Sequence, residues 1–165
     1  MCKYHTFVTM MLLLVSSLSY AGIFENSEHR GNWYVDSTVM SKHINPSEDY
    51  NESNFGLGVT YRYTQYLEYR VGYYKNSYSK HSNYALVNVI PYPYTKGNWN
   101  IDAGLNLGII DGYQDTKIGN NGVSIGSVNL MVAPSVSIEY TPIRSKIIFI
   151  LAGNALALQV SYRVK

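Results

Sequence analysis

One pairing of side chains in this sequence contains a recognisable reaction: a histidine, His43, and a serine, Ser77, which the strand pattern set out below sends to the same end of a sheet. A serine hydroxyl is a weak nucleophile until a neighbouring base takes its proton, so a histidine within reach is the least arrangement that supports base-assisted acyl transfer. A third group of interest is the run from Asp49 to Gly58, in which Tyr50, Asn51 and Glu52 precede a clean alternating stretch. Its Asn and Gly residues suit turns, and the acidic residues in and just before it (Glu48, Asp49 or Glu52) could supply a carboxylate if the loop folds over His43. Each of these has a plainer reading: a histidine at a rim is commonly a solvated surface residue, and such a loop can be held by polar side chains alone.

The elements that would position these residues are strands. No stretch after residue 22 keeps apolar residues at helical spacing over three turns, whereas several alternate with period two. Phe55, Leu57, Val59, Tyr61 and Tyr63 point one way while Gly56, Gly58, Thr60, Arg62 and Thr64 point the other. Similar alternation predicts about eight strands, at 32–43, 54–64, 66–77, 82–90, 98–110, 124–141, 146–151 and 155–164. Pro134 lacks a ladder donor, so a bend or bulge is expected there, and 91–97 is expected to be a loop. The polar faces are rich in Gly, Asn and Ser with a few opposed charges (Arg62, Glu68, Arg70, Asp102), which suits a narrow barrel interior holding internal ion pairs. Strands of about ten residues match the ~9–11 that a tilted membrane strand requires. The fold expected is therefore all-β, an eight-stranded antiparallel transmembrane β-barrel. With the N-terminus on the inner side, the long connections at 44–53 and 111–123 face outward, and the far ends of the first and third strands place His43 and Ser77 at that outer rim.

Composition agrees. The chain has 165 residues, enough for one domain, and 17 Tyr beside 4 Phe favour strands and aromatic membrane girdles. A net charge of +2 with only 15% charged residues supplies no basic stripe for nucleic acid. Residues 1–21 read as a signal peptide: Lys3, an apolar run over 7–15 too short to cross a bilayer, and Ser19 and Ala21 at a cleavage point before Gly22. The sole cysteine, Cys2, would leave with it, which excludes thiolate chemistry from residues 22–165. The sequence has no phosphate-cradling glycine loop, no histidine pair at metal spacing and no placeable carboxylate pair. Neither cofactor nor metal is expected.

Tyr50-Asn51-Glu52, Gly56-Leu57-Gly58, and Lys75-Asn76-Ser77 resemble, in order and spacing, the lipid A palmitoyltransferase (PagP-type) family of outer-membrane barrels. The resemblance covers most of residues 22–165 and is carried mainly by pattern after Gly97. It implies an outer-membrane location and transfer of an acyl chain from a phospholipid to lipid A, with both lipids as partners and a monomeric protein. The family uses a His, an Asp and a Ser at the outer rim; Ser77 corresponds to the serine, His43 is the candidate histidine, and Asn76 stands where the aspartate is expected. An amide carries no charge, which weakens any role in orienting a base. Gly56, Gly58, Gly72 and Gly104, on inward faces, would leave room for the acyl chain. Two alternatives from other classes are a non-catalytic surface barrel with a shielding, adhesion or exclusion role, and a soluble periplasmic barrel that binds an apolar ligand.

Overall fold

The computed structural model describes residues 31–44, 46, 49–113, 124–125 and 127–165. The expected signal peptide, residues 22–30, Glu48 and most of the connection at 111–123 lie outside the described residues. The strands are β1 (Asn32–His43), β2 (Ser53–Thr64), β3 (Leu67–Lys75), β4 (His81–Lys96), β5 (Trp99–Ile110), the two-residue β6 (Ser124–Ile125), β7 (Val128–Tyr140), β8 (Ser145–Ala152) and β9 (Ala155–Arg163). Every pairing is antiparallel, and β5 also pairs with β7, so the eight long strands close into a barrel without a free sheet edge around most of its girth.

The alternation read from the sequence decides which face is which. Inward residues are polar: Asp36, Thr60, Arg62, Glu68, Arg70, Asn88, Asn106, Glu139 and Lys146 are all buried. Outward residues are apolar and exposed, among them Val35, Leu57, Val59, Val71, Ile101, Leu105, Val136, Ile147 and Val160. The strands are strongly staggered. Following ladder partners from Asn32 through Arg62, Glu68, Asn88 and Asn106 reaches Ala133 on β7, which is level with the outer end of β8, and from there Ala152 and Ala155 lead back to β1 at His43. One circuit climbs the whole of β1, the tilt that a narrow closed barrel demands.

Four details differ from the sequence reading, each for a physical reason. β4 continues through 91–96, where a loop was expected. β3 pairing ends opposite Val89, so beyond that point β4 ladders with β5 alone, from Tyr92↔Ala103 to Lys96↔Trp99 after a register shift that takes up Pro91. Prolines are tolerated where one ladder is missing. Pro134 causes no bulge: its ladder with β5 is continuous, and pairing with β8 begins only at Ser135, so its missing donor falls where β7 has no neighbour on that side among the described residues. The span 124–141 is not one strand, because β6 folds back on β7 through a tight hairpin. Finally, β3 stops at Lys75, and Asn76–Lys80 is a turn in which the Asn76 N–H donates to the Lys80 carbonyl at 2.7 Å. Ser77 therefore lies in the turn and not on the strand. At the hairpin tips Gly97 and Gly153 take positive φ (58° and 62°), the conformation tight two-residue connections need.

The interior is divided. The inner half is filled by charge: Arg62 bonds Asp102 at 2.7 Å and lies 3.5 Å from Glu68, while Lys146 bonds Glu68 at 2.8 Å and sits 4.1 Å above the Tyr34 ring. The outer half holds an apolar cluster of Tyr84, Leu86, Ile110, Met131, Ala133, Ile148 and Ile150.

Candidate functional site

Above that cluster the barrel encloses a cavity of about 670 Å³ that reaches the outer rim. Leu86, Ile110, Met131 and Ile150 form its apolar wall, and His43, Tyr50, Ser77, Tyr78 and Tyr113 surround its mouth. Two of the three expected catalytic residues, His43 and Ser77, thus share one opening although they are far apart in the chain. β1 carries His43 because its inward parity runs Asp36, Thr38 and, after a bulge at Val39, Ser41 and His43. The turn after β3 carries Ser77, whose carbonyl accepts from the Asn51 N–H at 2.8 Å. That bond ties the 49–53 connection to the turn.

His43 is 8% exposed, and its Nδ1 meets no hydrogen-bond partner among the described residues. Its ring stacks on Tyr50 at 4.0 Å, Tyr50 meets Tyr78 edge-on at 5.6 Å, and Tyr78 meets Tyr113 edge-on at 6.1 Å. Burial holds the imidazole below its ordinary pKa; the Glu52 carboxylate opposes that and the Lys42 ammonium reinforces it. The ring is neutral at neutral pH, the state in which it can take a proton. Burial also pushes the Tyr113 phenol up, so Tyr113, hydrogen-bonded to Tyr74 at 2.7 Å, stays protonated.

Asn76 does something different. It is fully buried, and its amide is saturated: Nδ2 donates to Ser82 Oγ at 3.0 Å and to the Gly112 carbonyl at 2.9 Å, while Oδ1 accepts from the Tyr78 and Lys80 N–H groups at 2.9 and 3.0 Å. No bonding position is left for His43. Asn76 organises the turn that presents Ser77. Asn51 acts likewise, donating to the Ser53 and Asn76 carbonyls at 2.9 and 3.2 Å. Glu52 pairs with Lys42 at 2.9 Å on the outside of the rim. Tyr50 is the member of this triplet that lines the cavity.

None of the four glycines expected to make room for a ligand lines the cavity. Their space is taken by protein. A Cβ at Gly58 or Gly72 would strike the Tyr84 hydroxyl, at Gly56 the Tyr73 carbonyl and Tyr74, and at Gly104 the Asn88 amide. Gly58 and Gly72 therefore admit Tyr84, which closes the cavity at mid-depth. The sequence reading missed Tyr74, Tyr84, Tyr113 and Gln159. A signal was available for Tyr74, a large aromatic in phase with the otherwise polar face of Glu68, Arg70 and Gly72.

Among the described residues, those at 130–134 of β7 have no ladder partner on the β8 side, between the β6 hairpin above and Ser135↔Ile150 below. Met131 lines the cavity from one bank of this seam, Ile150 and Ala152 from the other. Compared with known proteins, the chain matches no family model and no curated protein at a significant level.

Proposed function

We propose that this protein spans an outer membrane and takes an acyl chain of a membrane lipid into the outer half of the barrel, where His43 and Ser77 carry its transfer to lipid A. The observation that carries this reading is the cavity itself: an apolar wall in the half of the barrel nearer the outer rim, with a buried, neutral imidazole at the mouth whose Nδ1 meets no hydrogen-bond partner among the described residues.

Membrane insertion is supported by the outward face. Exposed Trp33, Tyr69, Tyr92, Tyr94, Trp99 and Tyr162 cluster at the inner end of the strands, with Trp33 on Tyr61 and Trp99 on Tyr140 at 4.6 and 4.5 Å, and aliphatic residues occupy the strand length above them. An aromatic belt beside an aliphatic band is the pattern of a bilayer-facing barrel.

In the transfer, the acceptor hydroxyl oxygen forms the new ester bond, the bond to the donor phospholipid breaks, and the proton removed by His43 leaves on the lysophospholipid. The Ser77 hydroxyl assists at the same mouth. Mass analysis of lipid A from cells with and without the protein tests this. Added acyl mass is expected, and its loss in Ser77→Ala and His43→Ala barrels that remain heat-modifiable on a gel. The saturated amide of Asn76, which leaves the base without an orienting partner, favours a second reading: a surface barrel that holds lipid without transferring it. An unchanged lipid A profile from a folded barrel selects that second reading. Recovery as a soluble periplasmic monomer removes both.

A further inference from the structure

The cavity is two-faced. Opposite the wall of Leu86, Ile110, Met131 and Ile150, strands β1 and β9 present Thr38, Ser41 and Gln159. Ser41 is already committed, donating to Asn54 Oδ1 at 2.6 Å. Thr38 and Gln159 are ladder partners, both buried, and they form a fixed polar step: Arg70 Nη2 donates to Gln159 Oε1 at 3.1 Å, and Gln159 Nε2 donates to Thr38 Oγ1 at 2.9 Å. Arg70 is anchored in turn on Thr60 Oγ1 and Asn106 Oδ1, both at 3.2 Å. The amide of Gln159 is thereby held in one orientation. The Thr38 hydroxyl, having accepted that bond, keeps its own hydrogen, and no acceptor for it is found among the described residues.

This step lies well below the mouth. From the rim pair His43↔Ala155 to Thr38↔Gln159 is four residues of β9, about 13 Å of strand. A plain hydrocarbon chain filling the cavity would shut the Thr38 hydroxyl off from solvent and offer it no acceptor, and a buried donor left without a partner weakens binding.

We propose that the chain accepted here is hydroxylated partway along its length: a mid-chain hydroxyacyl group whose oxygen accepts from Thr38 beside the Gln159 amide, with its methylenes on the opposite wall. This rests on the acyl-binding reading above and names its substrate class. The alternation of polar and apolar sides at one depth distinguishes it from a uniformly greasy slot, which would select by length alone.

The test is equilibrium binding to the full barrel, refolded in a detergent too bulky to enter it, with stearate and a mid-chain hydroxystearate as competing probes. The hydroxylated chain should bind about tenfold more tightly, the effect of one net hydrogen bond. Thr38→Val, close to isosteric, should bring the two affinities together, and Thr38→Ser should keep the preference. Heat-modifiability on a gel reports that each variant is folded. Equal affinities in the unaltered barrel, or a preference that survives in Thr38→Val, overturns the hydroxyacyl proposal while leaving acyl binding intact. Binding of neither probe overturns the acyl-binding reading itself.

Discussion

The inner and outer halves of this barrel are lined by the same strands and differ in what those strands turn inward. Below Tyr84 the inward positions carry Arg62, Glu68, Asp102 and Lys146, joined by contacts at 2.7–3.5 Å, and Glu139, which accepts from Asn100 at 3.3 Å and lies 3.5 Å from Arg163. Above it they carry Leu86, Ile110, Met131 and Ile150 around open space. Opposed charges can fill a narrow interior because each ion has a partner; removal of one leaves the others buried and uncompensated. Apolar side chains facing a cavity have no such obligation, and the space they leave can hold a ligand. A charged plug and an open cavity are thus separated along the barrel axis.

The comparison is broken most severely at Glu68, which accepts from Lys146 and Asn88 and lies beside Arg62. Glu68→Leu leaves the buried Lys146 ammonium without its carboxylate, while Arg62 keeps Asp102, and is expected to cost about 3–5 kcal/mol. Urea unfolding from lipid vesicles, followed by tryptophan fluorescence, checks it. A loss below 1 kcal/mol would show that the inner half is hydrated enough to need no pairing. The next effect is at the boundary. Tyr84→Ala removes the floor that rests against Gly58 and Gly72 and should cost about 3 kcal/mol, in the range for aromatic truncation. It should also deepen the cavity, so that chains longer than the unaltered barrel accepts now bind. Destabilisation without a change in the preferred length would mean that Tyr84 is not the floor.

The division between the halves was partly legible in the sequence. Alternation over 54–64 assigned both faces, and the charges at Arg62, Glu68, Arg70 and Asp102 pointed to internal ion pairs, of which Arg62–Asp102 is the closest. Lys146 could not be matched with Glu68 in advance, because that pairing depends on how far the strands are staggered, and no local pattern encodes the stagger. Local residues also misled where their context was long-range. Pro91 and Pro93 read as a loop until the early end of β3 removes the ladder they would have broken. Inward glycines read as open space until Tyr84 and Asn88, from neighbouring strands, occupy it. The site was legible in its members at the mouth, His43, Tyr50 and Ser77, since parity and loop position put them there. Asn76 was legible by position but not by task, because its four partners are brought together only when the turn closes on Ser82 and Gly112.

That task gives a sharper test of the outer half. Asn76→Asp restores the acidic residue that the family resemblance expects, yet a carboxylate there has no hydrogens for Ser82 and the Gly112 carbonyl, and it would face that carbonyl oxygen directly. The substitution should cost about 1–3 kcal/mol and loosen the mouth, with no gain in acyl transfer. An increase in transfer would instead mean that the turn re-forms with the carboxylate turned toward His43.

The smallest expected effect belongs to His43. Its pKa in the fold lies below the ordinary histidine value of about 6.5, chiefly because the ring is buried. Between the two values the unfolded chain binds a proton that the folded one does not, so stability rises with pH across that window and is flat above it. Stability is therefore fully present above pH ~6.5 and declines as acid approaches the folded value, by less than about 1.4 kcal/mol for each pH unit crossed. His43→Gln should remove the slope, whereas Glu68 variants, which act on the charged plug, should leave it in place. If the slope persists in His43→Gln, the titration belongs to another group, and the neutral imidazole at the mouth loses its thermodynamic support.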